Sequence, residues 1–343
     1  MVSLHHANIY QVVRFNGARI YGSCRKVFPY RCDALAQLLT TSKEDTAAPF
    51  ILAHEFFDAL PIHVFQNITN SSLPASSTII TPTGSIKPKH GVTTPKNTWH
   101  ELVVSPTSPY SDPDKPGGEK LDFELTVSKT PTPHSLYLPK LSDRYQKLEN
   151  TPDAVIEISP ESLAYVADFA VRIGGSNAKP STTLAPSTPS ATPETFNKHQ
   201  PSGAALILDY GTSDTIPANT LRGIRSHTTV SPFASPGLVD LSADVDFLAL
   251  ADTALSASPS VEVHGPVEQS FFLSTMGIKE RADRLLSAAK DEETRKRLET
   301  GWKRLVDRGP NGMGKTYKAM AIVPYKEKGP VRRPIGFGGD IVG

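Results

Sequence analysis

The stretch 51–66, Ile-Leu-Ala-His-Glu-Phe-Phe-Asp-Ala-Leu-Pro-Ile-His-Val-Phe-Gln, runs from apolar residues straight into two carboxylates, Glu55 and Asp58, three positions apart. Phe50 to Ala53 reads as a buried strand, and open α/β sheets bind ligands just beyond the carboxyl ends of their strands. Acids at that edge face a site rather than a core. The competing reading makes both of them helix-start acids, favoured by the dipole and doing no chemistry. A second strand-like run, Ala204 to Leu208, also ends in an acid, Asp209, followed by Tyr210. Leu221-Arg-Gly-Ile-Arg-Ser-His227 then offers two cations and an imidazole ahead of Asp240, Asp244 and Asp246. For these, internal salt bridges and helix capping by Asp240 and Asp244 compete with ligand binding. His5, His6, His54, His63, His90 and His100 show no metal-ligand spacing, so no metal is expected.

Gly309-Pro-Asn-Gly-Met-Gly-Lys-Thr316 matches the phosphate-binding pattern Gly-x-x-x-x-Gly-Lys-Thr letter for letter. That loop works only between a strand and the N-terminus of a helix, whose amides hold the phosphates. Here the order is reversed: Trp302 to Arg308 is amphipathic helix and Tyr317 to Val323 is apolar strand. A glycine-rich turn from helix to strand is expected, and nucleotide hydrolysis is not.

The elements that must position these residues read as an α/β chain. Glu101 to Val104 and Leu121 to Val127 are strands, a hairpin leaving the main sheet. Ala154 to Ile158 is a strand running into Ser159-Pro160, an N-cap with proline at the first helical position. The helix continues to Gly174 with Leu163, Val166, Ala170 and Ile173 as its buried stripe. Strand, helix, then strand 204–208 is parallel-sheet grammar. Beyond residue 240 the pattern turns helical, at 243–255, 268–276, 282–289 and 292–306, with strands at 261–263 and 317–323.

Glu-Phe-Phe-Asp-Ala-Leu-Pro at 55–61 resembles the signature of the MidA-like protein arginine methyltransferases, mitochondrial assembly factors of respiratory complex I. Ala205-Leu-Ile-Leu-Asp-Tyr-Gly211, 221–227, Pro236 to Phe247 and Met276-Gly-Ile278 fall in the family's order. The resemblance covers roughly 50–325. It implies a Rossmann-like methyltransferase sheet with an inserted β-hairpin and C-terminal helices, and S-adenosyl-L-methionine as methyl donor. It further implies an arginine N-methyltransferase acting in the mitochondrial matrix on a protein substrate, a core subunit of complex I. In such an enzyme Glu55, then Asp58, would hold the guanidinium bidentately and steady its charge. Asp209 and Tyr210 would line the same cleft, Asp240 and Asp244 would bind substrate, and His227 would accept the proton lost after transfer. No Gly-x-Gly follows an apolar run before residue 50, and Asn16 to Gly22 lacks the paired glycines that admit a cofactor. Residues 1–49 therefore read as an atypical segment in place of the family's cofactor-binding part, with its first strands missing. A non-catalytic binding module for the same partner is the alternative.

Composition bounds the rest. With 30 prolines and 38% apolar residues in 343, about 220 residues are expected to fold. Pro/Ser/Thr-rich insertions at 69–98, 105–120 and 176–202 are too polar to offset ordering entropy, and 326–343 is a tail. A net charge of +1 gives no broad cationic field for nucleic acid. No run approaches the roughly 18 apolar residues of a membrane span. Cys24 and Cys32, the only cysteines, suggest neither zinc nor a disulfide framework. The first 32 residues carry Arg14, Arg19, Arg25, Lys26 and Arg31 and no acid, the bias of a matrix-targeting peptide or of an unrelated exon.

Overall fold

The fold is that of a computed structural model and is described for residues 9–13, 48–69, 79–81, 84–86, 97–107, 121–176, 196–226, 228–327 and 333–338. In chain order the first elements are β1 (Ile9–Val13), β2 (Phe50–His54), β3 (His63–Thr69), β4 (Ile79–Thr81), β5 (Gly84–Ile86), β6 (Asn97–Pro106) and β7 (Phe123–Val127). They are followed by α1 (Pro133–Tyr137), α2 (Asp143–Gln146), β8 (Val155–Ile158), α3 (Pro160–Gly174) and β9 (Ala204–Thr212). The remainder comprises β10 (Arg222–Arg225), β11 (Thr228–Val230), β12 (Asp240–Ser242), β13 (Val245–Asp246), α4 (Phe247–Ala257), β14 (Val261–Glu268), α5 (Gln269–Thr275), α6 (Ile278–Ala288), α7 (Glu292–Val306) and β15 (Tyr317–Pro324). The chain divides into two units, one of Met1–Pro61, Pro160–Thr215 and Ser242–Gly343, the other of Ile62–Ser159 and Ile216–Leu241.

The first unit is built on a mixed sheet of order β1-β2-β9-β15-β14, with β13 paired to the end of β9. β1, β2 and β9 run parallel, β15 runs antiparallel to β9, and β14, antiparallel to β15, resumes the direction of β9. β15 is apolar on both faces because both are covered, the pattern expected of a central strand. Its Ala319 and Ala321, with Leu206 and Leu208 of β9, pack under Phe272 and Phe337. By the period of two, Ile207, Met320 and Ile322, all 0% exposed, point to the other side. α3 packs on α4 and on β14 and β15. Its stripe of Leu163, Val166, Ala170 and Ile173 is buried as the 3.6-residue spacing requires, joined by Phe169.

The second unit is an antiparallel sheet of order β7-β6-β3-β8. Phe65, Trp99, Leu138, Tyr145, Ile156 and Ile158 form its core. The hairpin expected from 101–104 and 121–127 is present, Leu102 facing Val127. Several points differ from the sequence reading. β1 falls within 1–49, where the sheet's first strands were expected to be missing, and β4 and β5 pair within the 69–98 insertion. β3 was not foreseen, since its apolar residues follow Leu60-Pro61 without a turn signal of their own. β8 does not precede β9 in a parallel sheet; it pairs antiparallel with β3, His63 opposite Ile158. The parallel neighbour of β9 is β2, Ile51 opposite Ala205, so the crossover between them contains the whole segment Ile62–Ser159 as well as α3. Strand-helix-strand order is ambiguous whenever a unit is inserted between strand and helix.

Candidate active site

β2 ends at His54, and the next residue turns the chain. Glu55 has φ 46°, in the left-handed region that a side chain with a Cβ enters only at a cost. Its amide still donates to the Leu208 carbonyl at 3.0 Å, so the turn starts flush with the sheet edge. The amides of Phe56, Phe57 and Asp58 then converge on Oδ2 of Asp209, at 3.0, 2.8 and 3.4 Å, and the Tyr210 amide donates to Oδ1 at 2.8 Å. Asp209 thus caps a 3₁₀ turn, Phe57–Ala59, from a neighbouring strand. Two aromatic rings fix the same turn from the other side: Phe56 packs edge-on against Tyr165 at 5.4 Å, and Phe57 against Phe169 at 6.1 Å.

The head of Glu55 is fixed by a residue that sequence reasoning did not single out. The Tyr317 hydroxyl, at the start of β15, donates to Glu55 Oε1. Tyr317 lies opposite Tyr210 in the β9–β15 register, ring centroids 4.0 Å apart, and is 1% exposed. Burial, then the hydrogen bonds with Glu55 and Tyr210, push its phenol far above the usual range, so it stays a donor. Among the described residues Oε2 of half-buried Glu55 accepts no hydrogen bond. No local signal marks Tyr317; only the antiparallel return of β15 brings it 262 positions along the chain to Glu55.

The expected site residues fall in different places. Glu55, Asp58, Asp209 and Tyr210 are brought together. Asp209 is 0% exposed and both its oxygens are occupied by backbone amides, which makes it a support for the turn. Burial first, and the neighbouring Asp58 carboxylate second, hold its pKa well above the ordinary value against those hydrogen bonds. Asp58, 5% exposed, sits in the turn and its side chain does not cap it. Asp244 is half-buried with its charge acting on Lys318, and Asp246 is the residue that caps α4, accepting from the Ala249 amide at 3.1 Å. Asp240 lies on β12. His227 lies outside the described residues.

The glycine-rich segment 309–316 joins α7 to β15, as its flanks predict. Its amides are spent internally: Gly312 on Gly309, Met313 on Arg304 and Gly314 on Asp307. None of these three is turned outward as a phosphate cradle needs.

The antiparallel strand β15, set between β9 and β14 that run with β2, defines the class of protein as a methyltransferase-type α/β fold. Residues 33–267 match the family described as "Putative S-adenosyl-L-methionine-dependent methyltransferase", and the chain belongs to that family. The match takes in residues 33–49 of the segment read as atypical. The chain is 30% identical over 281 residues to the mitochondrial protein arginine methyltransferase NDUFAF7 of Rattus norvegicus, covering 82% of this chain and 47% of that protein. To the protein of the same name in Danio rerio it is 31% identical over 294 residues, covering 85% and 52%. The chain therefore spans about half the length of these relatives. A solved structure of a "likely methyl transferase" from Burkholderia thailandensis, bound to S-adenosyl-homocysteine, shares the fold with TM-score 0.51 at 16% identity, covering 82% of this chain and 55% of that one.

The family's cofactor is S-adenosyl-L-methionine. The described residues at the carboxyl edge of β2 and β9 do not fit it. A Cβ on Gly211, the glycine at that edge, would lie 2.4 Å from the Val245 carbonyl, so β13 already occupies the space beside it. The Asp209 carboxylate is likewise committed. No step below is routed through the donor. Among the described residues no helix is long and apolar enough to cross a membrane.

Proposed function

We propose that this chain carries the substrate side of a protein arginine N-methyltransferase, with Glu55 as the carboxylate that receives the guanidinium. One observation supports this most: Oε1 of Glu55 is fixed by a permanent phenol donor while Oε2 accepts no hydrogen bond among the described residues, at the edge where ligands bind. A planar cation docking on that carboxylate is held by charge-assisted hydrogen bonds, and the negative charge steadies it. Tyr317 orients Glu55, Asp209 and Asp58 shape the turn beneath it, and Tyr210 and Asp244 are assigned to the peptide around the arginine. The names of the relatives support a mitochondrial location. The family resemblance in 55–61 points to a core subunit of complex I, in the matrix, as substrate.

Peptides from such a subunit, bound to the chain and read by fluorescence anisotropy, test the reading without the donor. Losing one charge-assisted partner costs about 1.5–3 kcal/mol, so Glu55→Gln should weaken binding at least about tenfold, as should replacing the peptide's arginine by lysine. Equal binding by wild type and Glu55→Gln would move the site elsewhere. The misfit at Gly211 favours a second reading, a binding module that does not transfer methyl groups. Incorporation of labelled methyl from S-adenosyl-L-methionine into the bound peptide decides between them.

A further inference from the structure

Within the unit Ile62–Ser159, three side chains from distant positions converge: His63 at the start of β3, Glu101 in β6, and His134 in the first turn of α1. Each offers one ligand atom, an imidazole nitrogen from either histidine and a carboxylate oxygen from Glu101, and these three lie within 4.8 Å of one another. We propose that His63, Glu101 and His134 form a binding site for a divalent first-row transition ion of the zinc type.

The backbone dictates the convergence. In the β3–β6 register Glu101 stands opposite Phe65, and His63, two residues from Phe65, shares its face of the sheet. The His63 ring lies nearly parallel to that of Phe65, 12° between planes, which holds its Nδ1 2.7 Å from Glu101 Oε1. On the helix side Thr132 is an N-cap in a reciprocal capping box with Ser135, and Pro133 follows at the first helical position. This fixes the start of α1 and places His134 Nδ1 3.8 Å from Glu101 Oε2. The Thr132 hydroxyl donates to that same Oε2 at 2.5 Å, the kind of outer partner that orients a ligating carboxylate.

The chemistry selects the ion. Two imidazole nitrogens and one carboxylate are the donor set of many three-residue zinc sites, with a fourth position left for water. Around a cation with bonds of about 2.0–2.2 Å, neighbouring tetrahedral ligands stand about 3.3–3.6 Å apart. The His134-to-Glu101 distance of 3.8 Å is close to that edge, and the His63-to-Glu101 contact of 2.7 Å would open by under about 1 Å. The two imidazole rings, 4.2 Å apart and tilted by 41°, fit two ligands on one ion better than a parallel stack does. Access is open on one side, since the His134 side chain is 55% exposed while Glu101 is 12% exposed. A plain His63–Glu101 hydrogen bond accounts for one contact but gives His134 and Thr132 no reason to converge on the same carboxylate.

The test is a titration of the chelator-stripped full chain with ZnCl₂ by calorimetry, repeated with Co²⁺ and read by visible absorption. One equivalent of Zn²⁺ should bind with Kd tighter than about 10 μM, and Co²⁺ should give the intense visible bands of a four-coordinate site. His134→Ala, at an exposed position, should fold normally by circular dichroism and bind Zn²⁺ at least about a hundredfold more weakly. Thr132→Val should lose about tenfold through misorientation of Glu101. Zn²⁺ should raise the Tm of wild type and leave that of His134→Ala unchanged. No saturable binding by wild type would overturn the proposal, and so would full binding by His134→Ala, which would place the ion at other residues such as His5, His6, Cys24 or Cys32.

Discussion

Glu55 pays for its position in backbone strain, and that strain makes the residue's role testable apart from activity. A non-glycine residue in the left-handed region costs about 1–2 kcal/mol. Glu55→Gly relieves this but deprives the buried Tyr317 hydroxyl of an acceptor, at about 1–3 kcal/mol. Urea unfolding should therefore rank Glu55→Gly below wild type, while adding Tyr317→Phe restores stability to within about 1 kcal/mol as peptide binding stays lost. A double variant less stable than Glu55→Gly alone would show that the hydroxyl's bond with Tyr210 outweighs the loss of Glu55. Asp209 carries a pH signature. Its unfolded carboxyl titrates near 3.8, and the folded value is higher because burial and Asp58 disfavour the anion. Between those two values the folded state holds a proton that the unfolded state has released. The contribution is complete below 3.8 and is lost as pH rises through the folded value. The stability of wild type relative to Asp209→Asn should thus fall with rising pH across that window, as measured by denaturation midpoints. A rising or flat difference would mean that the four amide hydrogen bonds outweigh burial.

At the scale of elements, the turn between α7 and β15 shows how a motif's letters lose their meaning when the order of elements changes. Lys315→Ala should leave the binding of a fluorescent ATP analogue unchanged, because the amides of Gly312, Met313 and Gly314 are already spent on the turn itself and on the end of α7. Saturable binding abolished by that substitution would restore the nucleotide reading. The glycines of this turn serve packing instead. A Cβ on Gly312 would come 2.1 Å from the Asp307 carbonyl, a backbone atom that cannot move without unwinding the end of α7. Gly312→Ala should cost at least about 1–3 kcal/mol in urea unfolding. It should also disturb the first residue of β15, Tyr317, and so weaken peptide binding. Wild-type stability in this variant would mean that the turn has slack.

For the whole molecule, the central prediction concerns the donor. The sequence holds no paired-glycine turn before residue 50, and β13 fills the space beside Gly211. Calorimetry with S-adenosyl-homocysteine should give Kd weaker than about 1 mM for the 343-residue chain. Micromolar binding would place the cradle in residues outside those described. The sequence alone determined the family, since the motifs from Glu55 to Ile278 are local words whose order survives insertions. It determined β2, β9, α3 and the four later helices to within a few residues, because apolar periodicity and caps are local signals. It also determined that 309–316 is no phosphate loop, from its flanks. Only the tertiary structure decided that 154–158 belongs to a second sheet, because strand pairing is a choice among distant partners that local pattern does not encode. Only it made Asp209 a support, paired Tyr317 with Glu55, and drew His63, Glu101 and His134 together. Each of these depends on register between strands far apart in the chain, and side-chain chemistry acts over a few ångströms of space, whatever the separation in sequence.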